Sequence, residues 1–383
     1  MTDNVIKKDI YKDFTLLVDG KTAFPKILEC IGRAKEYIYI NMFIWRDDKI
    51  GNKMARALLK AADRGVRVFI SVDRYGVVLE KSEESGKSFF HKTQTPKEKI
   101  KYNALKLCYP KNSRKEKTKD PDSEIYRIFM THPNITVSRS IFKADHSKYY
   151  IIDNEILFVG GMNIEDKELG KDIAGREYGD YMAMITGKKY VKAFRAKLTK
   201  GLDVSDYFFF GVNTKAPLRE CFEMEKKYLD MIESANKELH ITMAYFSPLK
   251  KFVNAIIAAY NRGVDVTVII PSDANYQDSS NKKTVKKLLK ATKGGIRVFL
   301  SPRMLHTKLV VNENYISFGS TNITKKAFHQ LSELNLFLKN ENSAFRNDIY
   351  NSIAHDIEES KEIKSYKDIK YNRILAFFEG FLV

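Results

Sequence analysis

Residues 34–45 read AKEYIYINMFIW, and residues 235–246 read ANKELHITMAYF. Apolar side chains alternate through both stretches, which is the pattern of a strand. Each follows an amphipathic helical segment, FPKILECIGR at 24–33 or KKYLDMIES at 226–234. Each leads into a second one, MARALLKAADRG at 54–65 or VNAIIAAYNRG at 253–263. Both of these later helices stop at an Arg-Gly pair, where Gly65 and Gly263 suit the left-handed position that closes a helix. Both then enter a β-branched strand, VRVFISVD at 66–73 or VDVTVIIPSD at 264–273. Self-similarity at this scale marks a repeated unit. Its helix–strand–helix–strand order predicts an α/β sandwich in each half, with largely parallel, buried strands.

The two copies run on into ADHSKYYIIDNEILFVGGMNI at 144–164 and MLHTKLVVNENYISFGSTNI at 304–323. In both, His-x-Lys opens an apolar strand, a polar turn follows, and a second apolar strand ends in Gly-Gly-Met-Asn or Gly-Ser-Thr-Asn. Positions i and i+2 share one face of a strand, so His146 sits beside Lys148 and His306 beside Lys308. Asn163 and Asn322 return on the neighbouring strand toward the same end. Two such units packed about a pseudo-twofold axis bring two His, two Lys and two Asn to one interface. A single His-x-Lys is ordinarily a solvated surface pair. Two of them, at the same place in a repeat and each followed by Gly-x-x-Asn, call for another explanation. The remaining histidines, 91, 132, 240, 329 and 355, lack that context and are expected to serve surface or core roles.

From Gly65 to His146 is 81 positions, but from Gly263 to His306 only 43, so the first half carries an insertion of about 38 residues. It falls within about 77–133, where KSEESGKSFFHKTQTPKEK and PKNSRKEKTKDPDSE are polar and Lys-rich. Such composition predicts a surface excursion, partly disordered, with a lid or substrate-recognition loop as the functional alternative. The expected organisation is a first domain at 1–205 with this insertion, a second domain at 206–340, and a C-terminal helical extension at 341–383.

Paired histidines suit phosphoryl chemistry, because imidazole alone has an unperturbed pKa that allows both protonation states near neutrality. One neutral ring can attack phosphorus while the other, protonated, supplies a proton to the leaving alkoxide. The roles then reverse as water or an alcohol resolves the phosphohistidine. Lys148, Lys308, Asn163 and Asn322 are expected to hold the non-bridging oxygens as charge builds. No Asp/Glu/His cluster with metal-ligand spacing is visible, so the reaction is expected to need neither metal nor cofactor. Each His also needs an orienting carboxylate. Asp180 in REYGDYMAMI and Glu333 in LSELNLFL, 34 and 27 residues after His146 and His306, are the candidates.

These motifs resemble the signature of the phospholipase D superfamily, HxKxxxxD followed by a Gly-Ser/Gly-x-Asn element. His146, Lys148 and Asp153 match it in full. The second copy departs, with Glu313 at the fifth position after Lys308 and a hairpin one residue shorter. The resemblance implies that Asp153 and Glu313 are structural, that His146 is the nucleophile and that His306 is the general acid. It extends to bacterial-type cardiolipin synthases, to which DGKTAFPKILECIGRAKEYIYINMFIWRDDKIG, GMNIEDKELGKDIAGREYGDYMAMITG and AYFSP are similar, over roughly residues 17–76 and 134–340. What this implies is two phospholipase D-like α/β/α sandwich domains related by pseudo-twofold symmetry, with the active site at their interface. The implied activity is phosphatidyl transfer or phospholipid hydrolysis through a covalent phosphohistidine, with cardiolipin synthesis as the particular expectation. The same core also serves nucleases, so a phosphodiesterase acting on nucleic acid is the alternative. A catalytically inactive membrane-binding paralogue is a third reading, of another class.

Charge bears on the partner. Lys and Arg outnumber Asp and Glu by 66 to 48 in 383 residues, a net +18. That excess favours an anionic membrane surface or nucleic acid, although solvated surface lysines are the plain alternative. Cys30, Cys108 and Cys221 form no CxxC pair and are expected to be reduced, as in a cytosolic protein. MTDNVIKKDIYKDF lacks an apolar signal core, and no apolar run of about 18 residues occurs. The expected location is therefore cytoplasmic with peripheral membrane association. In YNRILAFFEGFLV, residues Ile374, Leu375, Phe377, Phe378, Phe381 and Leu382 cluster just after Lys370 and Arg373. That is the composition of a helix lying in a membrane interface, with a helix docked on the core as the alternative. Both motifs lie in one chain, so no obligate protein partner is expected.

Overall fold

The computed structural model describes residues 10–76, 79–80, 87–90, 95–97, 100, 123–203, 205–216 and 220–382. The first unit runs β1 (Phe14–Val18), α1 (Gly20–Arg33), β2 (Tyr37–Met42), α2 (Lys49–Asp63), β3 (Arg67–Val72), α3 (Ser123–Thr131) and β4 (Ile135–Arg139). It continues through β5 (Lys148–Ile152), β6 (Ile156–Gly160), β7 (Tyr181–Thr186) and α4 (Lys188–Lys200). The second unit runs β8 (Phe208–Lys215), β9 (Glu220–Phe222), α5 (Met224–Glu233), β10 (Glu238–Met243), α6 (Lys250–Asn261), β11 (Asp265–Pro271), α7 (Asp278–Ala291) and β12 (Arg297–Ser301). It ends with β13 (Lys308–Asn312), β14 (Tyr315–Gly319), α8 (Lys325–His329), β15 (Glu333–Lys339), α9 (Ala344–Glu359), β16 (Lys361–Ile363) and α10 (Arg373–Leu382).

The pseudo-symmetry is explicit in the sheets. Among the described residues, the order β1-β7-β6-β5-β2-β3-β4 has its counterpart in β8-β15-β14-β13-β10-β11-β12, with β9 and β16 added at the edges. Gly65 and Gly263 both take φ +92°, the left-handed closure that their Arg-Gly context requires. The sheets are mixed, which corrects the expectation of largely parallel strands. Within these two sheets, among the described residues, only β2-β3-β4 and β10-β11-β12 pair in parallel. The His-x-Lys strands belong to tight hairpins, β5–β6 and β13–β14, and short turns join only antiparallel strands.

Helical periodicity places one face of each helix on its sheet. Ala23, Phe24, Ile27, Cys30 and Ile31 of α1 are buried and join Ile38, Ile40, Met54 and Leu58 in the first core. Tyr228, Ile232, Ile256, Val285 and Leu288 do the same in the second. A third apolar layer lies between the two sheets. Leu157, Val159 and Ala183 of the first pack with Leu309, Val311, Phe318 and Leu336 of the second. The units therefore share a core, which fixes the relative position of their motifs.

Two segments are more built-in than composition suggests. Within 77–133, helix α3 precedes β4 as α7 precedes β12, and Phe89, Ile125 and Phe129 are buried in the first core. Much of that Lys-rich stretch, including 101–122, lies outside the described residues. Within 341–383, α9 sends Phe345, Ile349 and Ile353 into the intersheet core, β16 pairs with β12, and α10 packs on α7. Cys30 is a free thiol, and Cys108 lies outside the described residues. No described helix is long and apolar enough to cross a membrane.

Candidate active site

Two interdomain backbone connections assemble the site. His146 N donates to Ser332 O at 2.8 Å, and Ser332 N donates back to Ala144 O at 3.0 Å. In the other half, His306 N donates to Gly179 O at 2.6 Å, and Met304 N to Glu177 O at 2.7 Å. Ser332 precedes Glu333 and Gly179 precedes Asp180, so each His-x-Lys segment lies against the carboxylate of the opposite domain. His146 Nδ1 meets Glu333 Oε2 at 3.0 Å, and His306 Nδ1 meets Asp180 Oδ2 at 3.0 Å. With Nδ1 so engaged, Nε2 is the nitrogen of each ring that its carboxylate does not hold.

Lys148 and Lys308 are buried beside their histidines, and each ammonium donates to the carbonyl of its own motif's His. Lys148 Nζ also lies 5.0 Å from the Phe43 ring centroid, and that ring meets His146 edge-on at 4.7 Å. Asn163 donates to Glu165 at 3.1 Å, while its Oδ1 is buried without a partner among the described residues. Asn322 Oδ1 accepts from Tyr245 N at 3.2 Å. A cavity of about 90 Å³ opens onto His146 and Asn322, walled by Phe43, Tyr75, Tyr245 and Tyr276.

The environment favours neutral imidazole. Burial, then the charges of Lys148 and Lys308, hold His146 well below its ordinary pKa. Burial, Lys308, Lys148 and Lys167 do the same to His306. Burial raises Glu333 to about 8 against the pull of Lys148, and Asp180 to about 7 against that of Lys308. Burial also lowers Lys148 to about 7.

The two halves differ in how they hold the carboxylates. Ser320 Oγ donates to Glu333, whereas its counterpart Gly161 leaves room for Asp180: a Cβ there would lie 2.3 Å from Asp180 Oδ2. Near Asp180 stands Glu168, buried and 3.8 Å from His306 Nδ1, a residue that motif spacing did not single out. Arg46 is buried too and pairs with Glu165 at 2.6 Å, and Lys167 reaches Glu165 at 3.3 Å. The signal for Glu165, Lys167 and Glu168 was the charged run EDKE at 165–168, just after Asn163-Ile164, a composition that is usually solvated.

Glu168, Asp180 and His306 present ligand atoms within 4.8 Å of one another. The reading of no Asp/Glu/His cluster is thus corrected, because the fold gathers residues far apart in sequence. Lys308 acts on both carboxylates, and Lys167 on Glu168. A divalent cation there would meet fixed like charge.

Asp153 and Glu313 stand away from this chemistry and do equivalent work. Asp153 accepts from the backbone N–H groups of Lys35, Glu36 and Tyr37 at 2.8–3.0 Å. Glu313 accepts from the repeat-equivalent Asn236, Lys237 and Glu238 at 2.8–3.5 Å. The extra methylene of Glu spans what the shorter second hairpin leaves open. Hydrogen bonds to a charged group contribute about 1.5–3 kcal/mol where buried, and these sites are partly solvated. Asp153→Ala or Glu313→Ala is therefore expected to cost about 1–3 kcal/mol in urea unfolding and to leave kcat nearly intact. Lost turnover at unchanged stability would contradict that role.

Fold and paired His-x-Lys geometry together define a two-domain phospholipase D-like protein. The chain belongs to the family described as cardiolipin synthase, PLD-like domain, whose model matches residues 27–202 and 228–357. It is 26% identical to a cardiolipin synthase of Clostridium perfringens over 384 residues, covering 94% of this chain and 70% of that protein. It is 25% identical to a cardiolipin synthase of Staphylococcus aureus over 390 residues, covering 96% and 72%. Among solved structures, the phosphatidylserine synthase of Haemophilus influenzae superposes with TM-score 0.66 at 14% identity, over 96% of this chain and 91% of that one. A polyphosphate kinase from Porphyromonas gingivalis gives 0.56 at 14%, over 96% and 52%. These two likenesses concern the fold.

Proposed function

We propose that the chain transfers a phosphatidyl group between lipid alcohols through a phosphohistidine on His146, and that it makes cardiolipin from two phosphatidylglycerols. The observation that carries the chemistry is the crossed pair of His–carboxylate contacts, which presents two Nε2 atoms to one lysine-flanked site. The lipid assignment is supported by relatives named cardiolipin synthase that align with nearly the whole chain.

In the first step the neutral His146 Nε2 forms the N–P bond, and the P–O bond to glycerol breaks. His306, protonated on Nε2, gives its proton to the departing alkoxide. Burial and lysine charge keep His146 unprotonated and ready to attack. The incoming phosphodiester is anionic, which favours protonation of the second ring. Lys148 and Lys308 balance the charge that builds on the non-bridging oxygens. In the second step the hydroxyl of another phosphatidylglycerol gives its proton to His306 and attacks phosphorus, and the N–P bond breaks. The products are cardiolipin and glycerol, and His146 is free again.

Product analysis on phosphatidylglycerol vesicles, beside single-stranded and duplex DNA, tests this reading. The expected products are cardiolipin and glycerol, formed equally after exhaustive chelation, because the lysines supply the charge that a metal otherwise provides. Phosphatidic acid in place of cardiolipin makes the enzyme a hydrolase. Degraded DNA with untouched lipid replaces the reading with a nuclease. Activity abolished by EDTA and restored by a divalent ion overturns the lysine-based account and turns attention to Glu168, Asp180 and His306.

A further inference from the structure

We propose that the outer face of α10, with the lysine-rich side of α7, is a docking surface for an anionic bilayer that seats the active-site mouth on its substrate. This rests on the reading that the substrate is a phospholipid. One side of α10 is fastened to the protein. Ala376 and Glu379 are buried, Ser280 N donates to Glu379 Oε2 at 2.7 Å, and Ser280 Oγ donates to Ala376 O at 3.3 Å. The anchoring carboxylate thus meets the first turn of α7, where the helix dipole favours negative charge. On the other side, Ile374, Phe377 and Phe378 are 71%, 68% and 54% exposed, with the two rings 5.9 Å apart. Large apolar side chains grouped in water on one short helix mark an interaction surface.

Charge selects the occupant. Helix α7 exposes Lys283, Lys287 and Lys290, and its one acidic residue, Asp278, is paired with Lys282. Lys286 Nζ donates to Ile369 O at 2.7 Å and lies over Tyr371, so this basic side faces the segment that leads into α10. Lys370 and Arg373 are exposed at the start of α10, and within residues 364–373 the one exposed carboxylate is that of Asp368. Protruding apolar side chains with a cationic surround insert shallowly among anionic headgroups. Position supplies the purpose. Tyr276 and Gln277, directly before α7, line the cavity that opens onto His146 and Asn322. A bilayer touching α10 therefore lies beside the mouth of the site.

Flotation of the full chain with phosphatidylglycerol-containing and pure phosphatidylcholine vesicles tests the surface. Wild type is expected to float with the anionic vesicles, less so as salt rises, and hardly with the neutral ones. Ile374→Ser/Phe377→Ser/Phe378→Ser is expected to weaken anionic binding at least tenfold. It should leave the thermal melt and turnover of a monomeric short-chain phosphatidylglycerol unchanged, since all three side chains face solvent. Independently, Phe377→Trp should show a blue-shifted emission on anionic vesicles, against a native Trp45 that is 1% exposed. A triple variant that binds like wild type, an unshifted Phe377→Trp emission, or a surface that captures duplex DNA instead of vesicles overturns the proposal. Vesicle binding through this patch without any conversion of phospholipid would leave the surface standing and remove the proposed function.

Discussion

His146→Asn should lower turnover by at least about 10⁴-fold, because in the proposed mechanism it removes the atom that bonds to phosphorus, and nucleophile losses of this kind are among the largest known. His306→Asn should cost about 10²–10⁴-fold, the range of a lost general acid and base. The two substitutions differ in a second way. With a substrate whose leaving group needs no proton, the His306 variant should still react once and then stall, since resolution requires a base. The His146 variant should not react at all. Both rings are buried against carboxylates and need no movement to reach this geometry. The acid limb of kcat/KM should fall below the ordinary imidazole range. Protonation removes the lone pair of His146, and burial with Lys148 and Lys308 displaces that protonation to lower pH. An acid limb above pH 6.5 would contradict the electrostatics.

The crossed carboxylates give the second large effect. Glu333→Gln keeps the shape of the contact but presents an amide that can donate to Nδ1 of His146. That stabilises the tautomer with hydrogen on Nε2, which has no lone pair for attack. In serine proteases the analogous exchange costs about 10⁴-fold, and about 10²–10⁴-fold is expected here. Asp180→Asn should act on His306 instead. It should slow proton transfer to a poor leaving group strongly and to an activated one much less. The crossed geometry is therefore measurable by single-turnover kinetics: Glu333→Gln slows adduct formation with every substrate, whereas Asp180→Asn slows it according to the leaving group. If Asp180→Asn behaved as the nucleophile defect and Glu333→Gln as the acid defect, the assignment of roles would be reversed.

Much of this was legible in the sequence because the repeat is carried by periodicity. Alternation through 37–42 and 238–243, and the helix stops at Gly65 and Gly263, identify equivalent elements with no tertiary information. Strand direction was not legible in the same way. Parallel pairing was read from the β2–α2–β3 unit and holds there, but β5, β6 and β7 return as antiparallel neighbours. Asp180 and Glu333 could be found as carboxylates in strand-like segments that follow each motif. Their crossed partners could not, because the pairing is set by backbone bonds of His146 to Ser332 and His306 to Gly179 across the interface. Glu168 and Arg46 were hidden for a different reason. Charged residues in a loop are ordinarily solvated, and only tertiary packing makes these an interior network. In α10 the docked alternative holds for Ala376 and Glu379, while Ile374, Phe377 and Phe378 remain outside.

The most direct test of the central claim, one site shared by two His-x-Lys motifs with a covalent intermediate, is mass spectrometry of the quenched His306→Asn variant. The protein would be mixed with a phosphatidyl donor carrying an activated leaving group, quenched under conditions that preserve phosphohistidine, and digested. The expected result is an acid-labile phosphatidyl adduct on the peptide containing His146, absent when His146 is also replaced. An adduct on another residue, or none under any quench while turnover proceeds, would contradict it.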